Sequence, residues 1–113
     1  MEITVFILEL CKNKYFVGKS NDPDTSIHSH FYGQGNSWTK FYQPLRVIGR
    51  LSNCNPFDQD KYTLLYMDLY GIDNVRGGTF SDFTISDQDQ EIIKRMHRTE
   101  CVKYNFIKYY NFH

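Results

Sequence analysis

The amino-acid sequence predicts an α+β fold of the order β-β-α-β-α-α, with a central three-stranded mixed or antiparallel sheet flanked by helices. Two observations support this prediction. Two apolar, β-branched runs open the chain with a short polar turn between them, which is typical of a β-hairpin. Three later segments carry capping residues at their ends and apolar residues spaced for one helix face. With 113 residues, the chain is long enough for one domain with a modest core.

The predicted hairpin lies at the N-terminus. Ile3 to Leu10 is apolar and β-branched apart from Thr4 and Glu9, which indicates a strand. Lys12-Asn13 predicts the turn, and Tyr15 to Lys19 the second strand. Because Met1 leads directly into this strand, we expect no signal peptide.

Asp22 and Pro23 predict the start of the first helix. Asp is a favoured N-cap, and Pro fits the first helical position. The helix is expected to stop before Gly33, and Ile27 and Phe31, four residues apart, to form its buried stripe.

The middle of the chain predicts a loop, a strand and a second helix. Residues 33–44 contain two Gly, Asn and Ser and indicate a loop. Leu45 to Leu51 indicates the third strand, and residues 53–56 another loop. Asp58 to Tyr70 carries apolar residues among tyrosines, so a buried helix ending at Gly71 is expected.

The last predicted helix begins at Ser86, a good N-cap, and runs to about Arg98. Before it, Gly77-Gly78 is interpreted as excluding regular structure. We therefore expect one domain over residues 1–98 and a C-terminal tail over residues 99–113. The apolar stripe of this last helix consists of Ile92, Ile93 and Met96.

Composition limits the functional classes. The chain has 13 basic and 13 acidic residues, so its formal charge is zero, whereas free-standing nucleic-acid binders are usually basic. A local basic face stays open as an alternative. Aromatic residues make up 17% of the chain, which suits either an aromatic-rich core and surface or platforms for stacking nucleic-acid bases.

The three cysteines, Cys11, Cys54 and Cys101, are widely spaced and odd in number. This pattern indicates reduced thiols and an intracellular protein. No cysteine has a CxxC partner, so no zinc site is expected. The sequence has no apolar run of membrane length, so we expect no membrane association.

One short motif resembles a known family. Tyr15 to Ser20 reads YFVGKS, which resembles the second half of a GIY-YIG motif, usually YIGKT or YVGKT. Phe6 lies ten residues upstream of Phe16, where the family has the tyrosine of GIY. In the following helix, Ile27 and His30 match the family's first helix.

Two longer stretches make the resemblance more specific. Residues 33–44 contain GxGxSWTK followed by Tyr and Pro, and residues 60–78 end in YGIDNVRGG. Together they are similar to the GIY-YIG domains carried by large eukaryotic DNA viruses. The resemblance covers residues 3–98, and it implies the GIY-YIG fold and a location in host cytoplasm or virion.

In the viral relatives a zinc knuckle often follows the last helix. Here Cys101 stands where a CxxC would begin, but Tyr104 replaces the second cysteine. The resemblance therefore implies that the knuckle is absent or eroded. The basic and aromatic tail from Lys103 to His113 is expected to pack on the domain instead.

The resemblance also implies a nuclease chemistry: two tyrosine hydroxyls, an arginine clamp and a glutamate that holds one divalent metal ion. Carried over residue by residue, these positions fall on Phe6, Phe16, Ser26 and Thr63. None of the four retains the family's chemical group, so no catalytic residue is intact. The resemblance implies that all four lie close together, beside the first helix.

Three residues remain as residual contributors. Lys19 follows the YVG-like run and either contacts phosphate or is a solvated surface lysine. His30 is either structural or a substitute base. Asp60 lies one helical turn before Thr63, where it either supplies a displaced metal ligand or interacts with the helix dipole.

We expect a catalytically inactive GIY-YIG endonuclease-like domain that acts as a structural or binding module for a protein, a second copy or nucleic acid. No metal or cofactor is expected. The alternative is an active endonuclease with displaced catalytic residues, which would need Mg²⁺ or Mn²⁺. Nucleic-acid contact would use the basic side chains, namely Lys19, Lys40, Arg46, Arg50 and Arg76.

Overall fold

The computed structural model describes residues 2–98, and its N-terminal hairpin forms as predicted. Strand β1 (Ile3–Leu10) pairs antiparallel with β2 (Lys14–Ser20). Lys12 and Asn13 in the turn both have φ of 59°, in the left-handed region that Asn tolerates and Lys adopts rarely. The tail and Cys101 lie outside the described residues.

The sheet has four strands, not the predicted three. Strand β3 (Pro44–Cys54) pairs antiparallel with β1, and β4 (Val75–Gly77) pairs parallel with β2, giving the order β3-β1-β2-β4. The interpretation of Gly77-Gly78 as irregular was wrong for Gly77. A β-carbon at Gly77 would lie 2.4 Å from the carbonyl oxygen of Val17, so Gly allows this close pairing.

Helix α1 (Pro23–Phe31) starts at the predicted proline. Asp22 is the N-cap residue as predicted, but its side chain makes no capping hydrogen bond. The Asp22 backbone N–H donates instead to Ser20 Oγ over 2.9 Å. A second helix, α2 (Ser37–Phe41), lies in the segment that was expected to be a loop.

Helices α3 (Asp58–Tyr70) and α4 (Asp87–Arg98) confirm the two remaining helical predictions. Helix α3 ends as expected at Gly71, which has φ of 100° and donates its backbone N–H to Met67. Ser86 caps α4 by accepting from the backbone N–H of Asp89 over 3.1 Å. Within residues 2–98, no helix is long and apolar enough to cross a membrane.

Strand alternation divides the core into two layers. On one face of the sheet, which we call the α3 side, Val5, Ile7 and Val17 pack with residues of α3, β4 and α4. On the other face, the α1 side, the strands pack against α1 and α2. The buried residues of the α1 side are Phe6, Leu8, Leu10, Phe16 and Trp38.

Candidate functional site

Phe6 and Phe16, at the two tyrosine positions implied by the resemblance, lie together on the α1 side. Their ring centroids are 6.3 Å apart, and only 1% and 6% of the two residues is exposed. Phe6 pairs with Gly18 across the hairpin, and a β-carbon at Gly18 would lie 2.3 Å from Phe6 Cζ. The absence of a side chain at Gly18 therefore provides the space that the Phe6 ring fills.

His30 completes this aromatic cluster from α1. Its ring centroid is 4.7 Å from that of Phe16 and 5.9 Å from that of Phe6. His30 Nδ1 is hydrogen-bonded to Thr39 Oγ1 over 2.8 Å, which links α1 to α2. Burial lowers the pKa of His30, so the neutral imidazole is favoured. These contacts connect His30 to both strands of the hairpin and to α2, and we call Phe6, Phe16 and His30 the ring cluster.

Ser26, at the implied arginine position, also lies on α1. Its hydroxyl donates a 2.7 Å hydrogen bond to Ser20 Oγ, which in turn accepts the backbone N–H of Asp22. The serine therefore fastens the start of α1 to the end of β2. A neutral hydroxyl in this position supplies no positive charge for a phosphate.

Thr63, at the implied glutamate position, does not join this group. It is fully buried on α3, between neighbours that belong to the α3 side, and its Oγ1 lies 2.6 Å from where a β-carbon of Gly77 would be. Gly77 pairs with Val17, whose side chain points to the α3 side. The expectation that Thr63 lies beside Phe6 and Phe16 was wrong, because the sheet separates them.

The site residues do not fit the divalent ion that the resemblance implies. The Thr63 hydroxyl is already used, since it donates to the backbone oxygen of Gln59 over 2.7 Å. Hard cations favour carboxylate oxygens, and Thr63 offers none. Within residues 2–98, no three His, Cys, Asp or Glu side chains are grouped closely enough to hold a metal ion.

Asp60 and Lys19 lie on a different feature, an open groove of about 510 Å³ at the end of the sheet. Both Asp60 carboxylate oxygens accept hydrogen bonds from Thr79, one from its backbone N–H at 2.8 Å and one from its hydroxyl at 2.6 Å. Asp60 therefore anchors the turn after β4. Lys19 is exposed on the groove wall. Phe57, also on the wall, is 82% exposed.

Arg76 was predicted to contact nucleic acid, and this prediction was wrong. It is only 4% exposed, and its guanidinium carbon lies 4.4 Å from the centre of the Trp38 ring. Burial lowers its pKa, although a guanidinium stays charged in proteins. Its donors are all directed at backbone oxygens, namely those of Ile72, Val75, Asp82 and Phe83.

The remaining predicted cations do not share one face. Arg46 forms a two-pronged pair with Glu9, with both N–O distances 3.1 Å, on the α3 side. Arg50 lies opposite Phe6 in the sheet and pairs with Asp24 of α1 over 2.8 Å, on the α1 side. Lys19 and Lys40 are exposed on β2 and α2. This dispersion weakens the case for a nucleic-acid surface.

Sequence reasoning missed an exposed aromatic patch formed by Phe41, Tyr42 and Phe83. Phe41 is 65% exposed and Phe83 is 37% exposed. The Phe41 ring lies 4.9 Å from Tyr42 and 5.3 Å from Phe83, measured between centroids, and Trp38 packs beneath them. Phe83 is distant in sequence and was assigned no role, so only the phenylalanine–tyrosine pair on α2 could have indicated the patch.

Comparisons with protein families, curated proteins and solved structures give no match for this chain.

Proposed function

We propose that this chain is a GIY-YIG-like domain that no longer cuts nucleic acid and instead binds a protein partner. The observation that carries the first part is the ring cluster. Phenyl rings that are 1% and 6% exposed occupy the two positions where the resemblance implies reactive hydroxyls. A phenyl ring neither donates nor accepts a proton, and His30 beside them is held by Thr39.

A protein partner is favoured over nucleic acid for two reasons. The chain carries no net charge, and two of its predicted phosphate contacts, Arg46 and Arg50, are paired with carboxylates. The aromatic patch, in contrast, presents three rings in mutual contact at the surface. Aromatic anchors on a rigid support are typical of the energetic centres of protein interfaces.

The loss of cutting is tested with purified protein, supercoiled plasmid, and Mg²⁺ or Mn²⁺. We expect no nicking by the unmodified chain. Single changes Phe6→Tyr or Phe16→Tyr should also give none, because catalytic groups act as a unit. Metal-dependent nicking that Asp60→Ala abolishes would overturn the proposal and establish the displaced-site nuclease. Asp60→Asn serves as a matched control for folding, because its amide oxygen keeps one of the two acceptors for Thr79.

Protein binding is tested through the patch. Phe41→Ser should lose at least about tenfold in affinity for a partner identified by cross-linking, since truncating a hot-spot anchor costs about 2 kcal/mol or more and each 1.4 kcal/mol is about tenfold. Tyr32→Ser is the matched control, because Tyr32 is a 70% exposed aromatic outside the patch. Equal loss in both variants, or binding to single-stranded nucleic acid that depends on Phe41, would contradict a protein partner.

A further inference from the structure

Strand β3 (Pro44–Cys54) forms one edge of the sheet, and within residues 2–98 it pairs only with β1. None of its residues is fully buried, whereas six of the eight residues of β1 are. Helix α3 packs on β2 and β4, so it covers little of β3. Along an edge strand, the backbone N–H and C=O groups on the outer side have no strand to pair with. The outer side of β3 is therefore a template for a further strand.

The side chains of β3 lack the features that usually protect an edge. Single edge strands are commonly protected by unpaired charges, especially those of lysine. Strand β3 contains no lysine, and its two cations, Arg46 and Arg50, each form an ion pair with a carboxylate of the same chain. Val47 and Ile48 at its centre are 40% and 38% exposed. Exposed β-branched residues on an unpaired backbone favour pairing with another strand.

We propose that β3 of a second copy of this chain pairs with this edge, antiparallel across a two-fold axis, and joins two four-stranded sheets into one. A second copy is favoured over a different protein for two reasons. A two-fold axis brings the same edge of both copies together, so each exposed strand pairs with the other. The chain has 13 basic and 13 acidic residues, and a net charge near zero promotes association between copies. A single strand pair is a small interface, so we expect a reversible dimer.

The register of this pairing follows from the faces of the side chains, because residues directly opposite each other in a sheet share one face. Pairing with β1 places Val47 and Arg50 on the α1 side, and Arg46 and Leu51 on the α3 side. A register with Val47 opposite Arg50 of the second copy matches these faces. It also sets Arg46 opposite Leu51, and it accommodates the extra residue of the β-bulge at Ile48 in both copies. A shift that sets Arg50 opposite Arg50 would oppose like charges.

The inference does not depend on the aromatic patch, because β3 uses different residues, and it is tested on the full chain. Sedimentation velocity is measured from about 1 µM to about 1 mM, which spans the affinities expected of a small interface. We expect the mass to rise with concentration from 13.5 kDa towards twice that value. A monomer at every concentration would overturn the proposal.

Paired variants locate the interface. Val47→Lys should weaken the dimer at least about tenfold, because it sets a lysine opposite Arg50 at two symmetric positions. Leu69→Lys is the matched control, since Leu69 lies on α3, is 42% exposed and receives the same charge. Val47→Glu sets the opposite charge before Arg50 and should weaken the dimer less than lysine does. Equal losses for both lysine variants, or for lysine and glutamate at position 47, would contradict this interface.

Contacts between the two copies test the register directly. In a sample that mixes isotope-labelled and unlabelled chains, filtered nuclear Overhauser spectra report only contacts between chains. We expect contacts between the Val47 methyl groups of one copy and the Arg50 side chain of the other. A dimer whose contacts between chains lie instead at Phe41 of the aromatic patch would overturn the proposal and assign self-association to that patch.

Discussion

Substitution of Arg76 tests most directly whether a residue predicted to bind nucleic acid is instead structural. The arginine was first interpreted as a phosphate contact, yet it is 4% exposed and donates to four backbone oxygens. These oxygens belong to the turn before β4, to Val75 at the start of β4 and to the loop after it. We predict that Arg76→Ala destabilises the fold strongly, and that Arg76→Lys does so nearly as much.

The magnitude follows from the groups that would be left without a donor. A buried acceptor that loses its partner costs about 1–3 kcal/mol, and water would reach some of the four oxygens after truncation. If two oxygens stay unsatisfied, the loss is about 2–6 kcal/mol. The contact with the Trp38 ring adds about 0.5–2 kcal/mol. We expect about 2.5–8 kcal/mol in total, a large part of the 5–15 kcal/mol that is typical of domains.

Lysine keeps the charge but not the fork of five donors, so Arg76→Lys should still lose about 2 kcal/mol or more. The measurement is the free energy of unfolding from urea titrations, with Lys40→Ala as a control on an exposed cation. A change below about 0.5 kcal/mol for Arg76→Ala, the range of ordinary surface substitutions, would refute this account of Arg76. If Arg76 instead contacted nucleic acid, its substitution would leave the free energy of unfolding unchanged, and lysine would be tolerated at this position.

Two further predictions concern the ring cluster. Burial lowers the pKa of His30, so the unfolded chain takes up a proton below about pH 6.5 that the folded chain resists. The contribution of His30 to the free energy of unfolding should be fully present above that pH and should fall on acidification by up to about 1.4 kcal/mol per pH unit. His30→Gln should remove this part of the pH dependence of stability in urea titrations. An unchanged pH dependence would argue against the lowered pKa. Gly18→Ala should lower the free energy of unfolding by about 1–3 kcal/mol, because the added methyl group would overpack against Phe6. Adding Phe6→Leu should recover part of that loss in a double-mutant cycle, whereas strictly additive effects would exclude the clash.

Local signals were sufficient for the hairpin and for three helices. The capping serine of α4 and the glycine that ends α3 act within a few residues, so the sequence displays them directly. Helix α2 was missed because its cap, Asn36, lies among glycines and was interpreted as part of a loop. Asn36 accepts from the backbone N–H of Thr39 over 2.9 Å, which is ordinary capping.

Strand β4 and the site depend on contacts that no local pattern shows. Three residues that include a glycine form a strand only because β2 offers them a parallel partner. The resemblance assigned Thr63 by its position along the chain, but position along the chain cannot tell on which face of a sheet a helix packs. Arg76 was misjudged because arginine is seldom buried, and its carbonyl partners are assembled by the fold.

The parallel pairing of β4 with β2 also sets an order of assembly. Lys14 of β2 bonds to Asn74, 60 positions later in the chain, whereas β1 and β2 meet across a tight turn. Closing a long loop is slower and loses more conformational entropy than closing a hairpin. During synthesis on a ribosome, β1, β2 and β3 are synthesised before residue 75 exists, and the Trp38 ring lacks Arg76 until then. The hairpin can therefore form early in translation, whereas β4 can join the sheet only later.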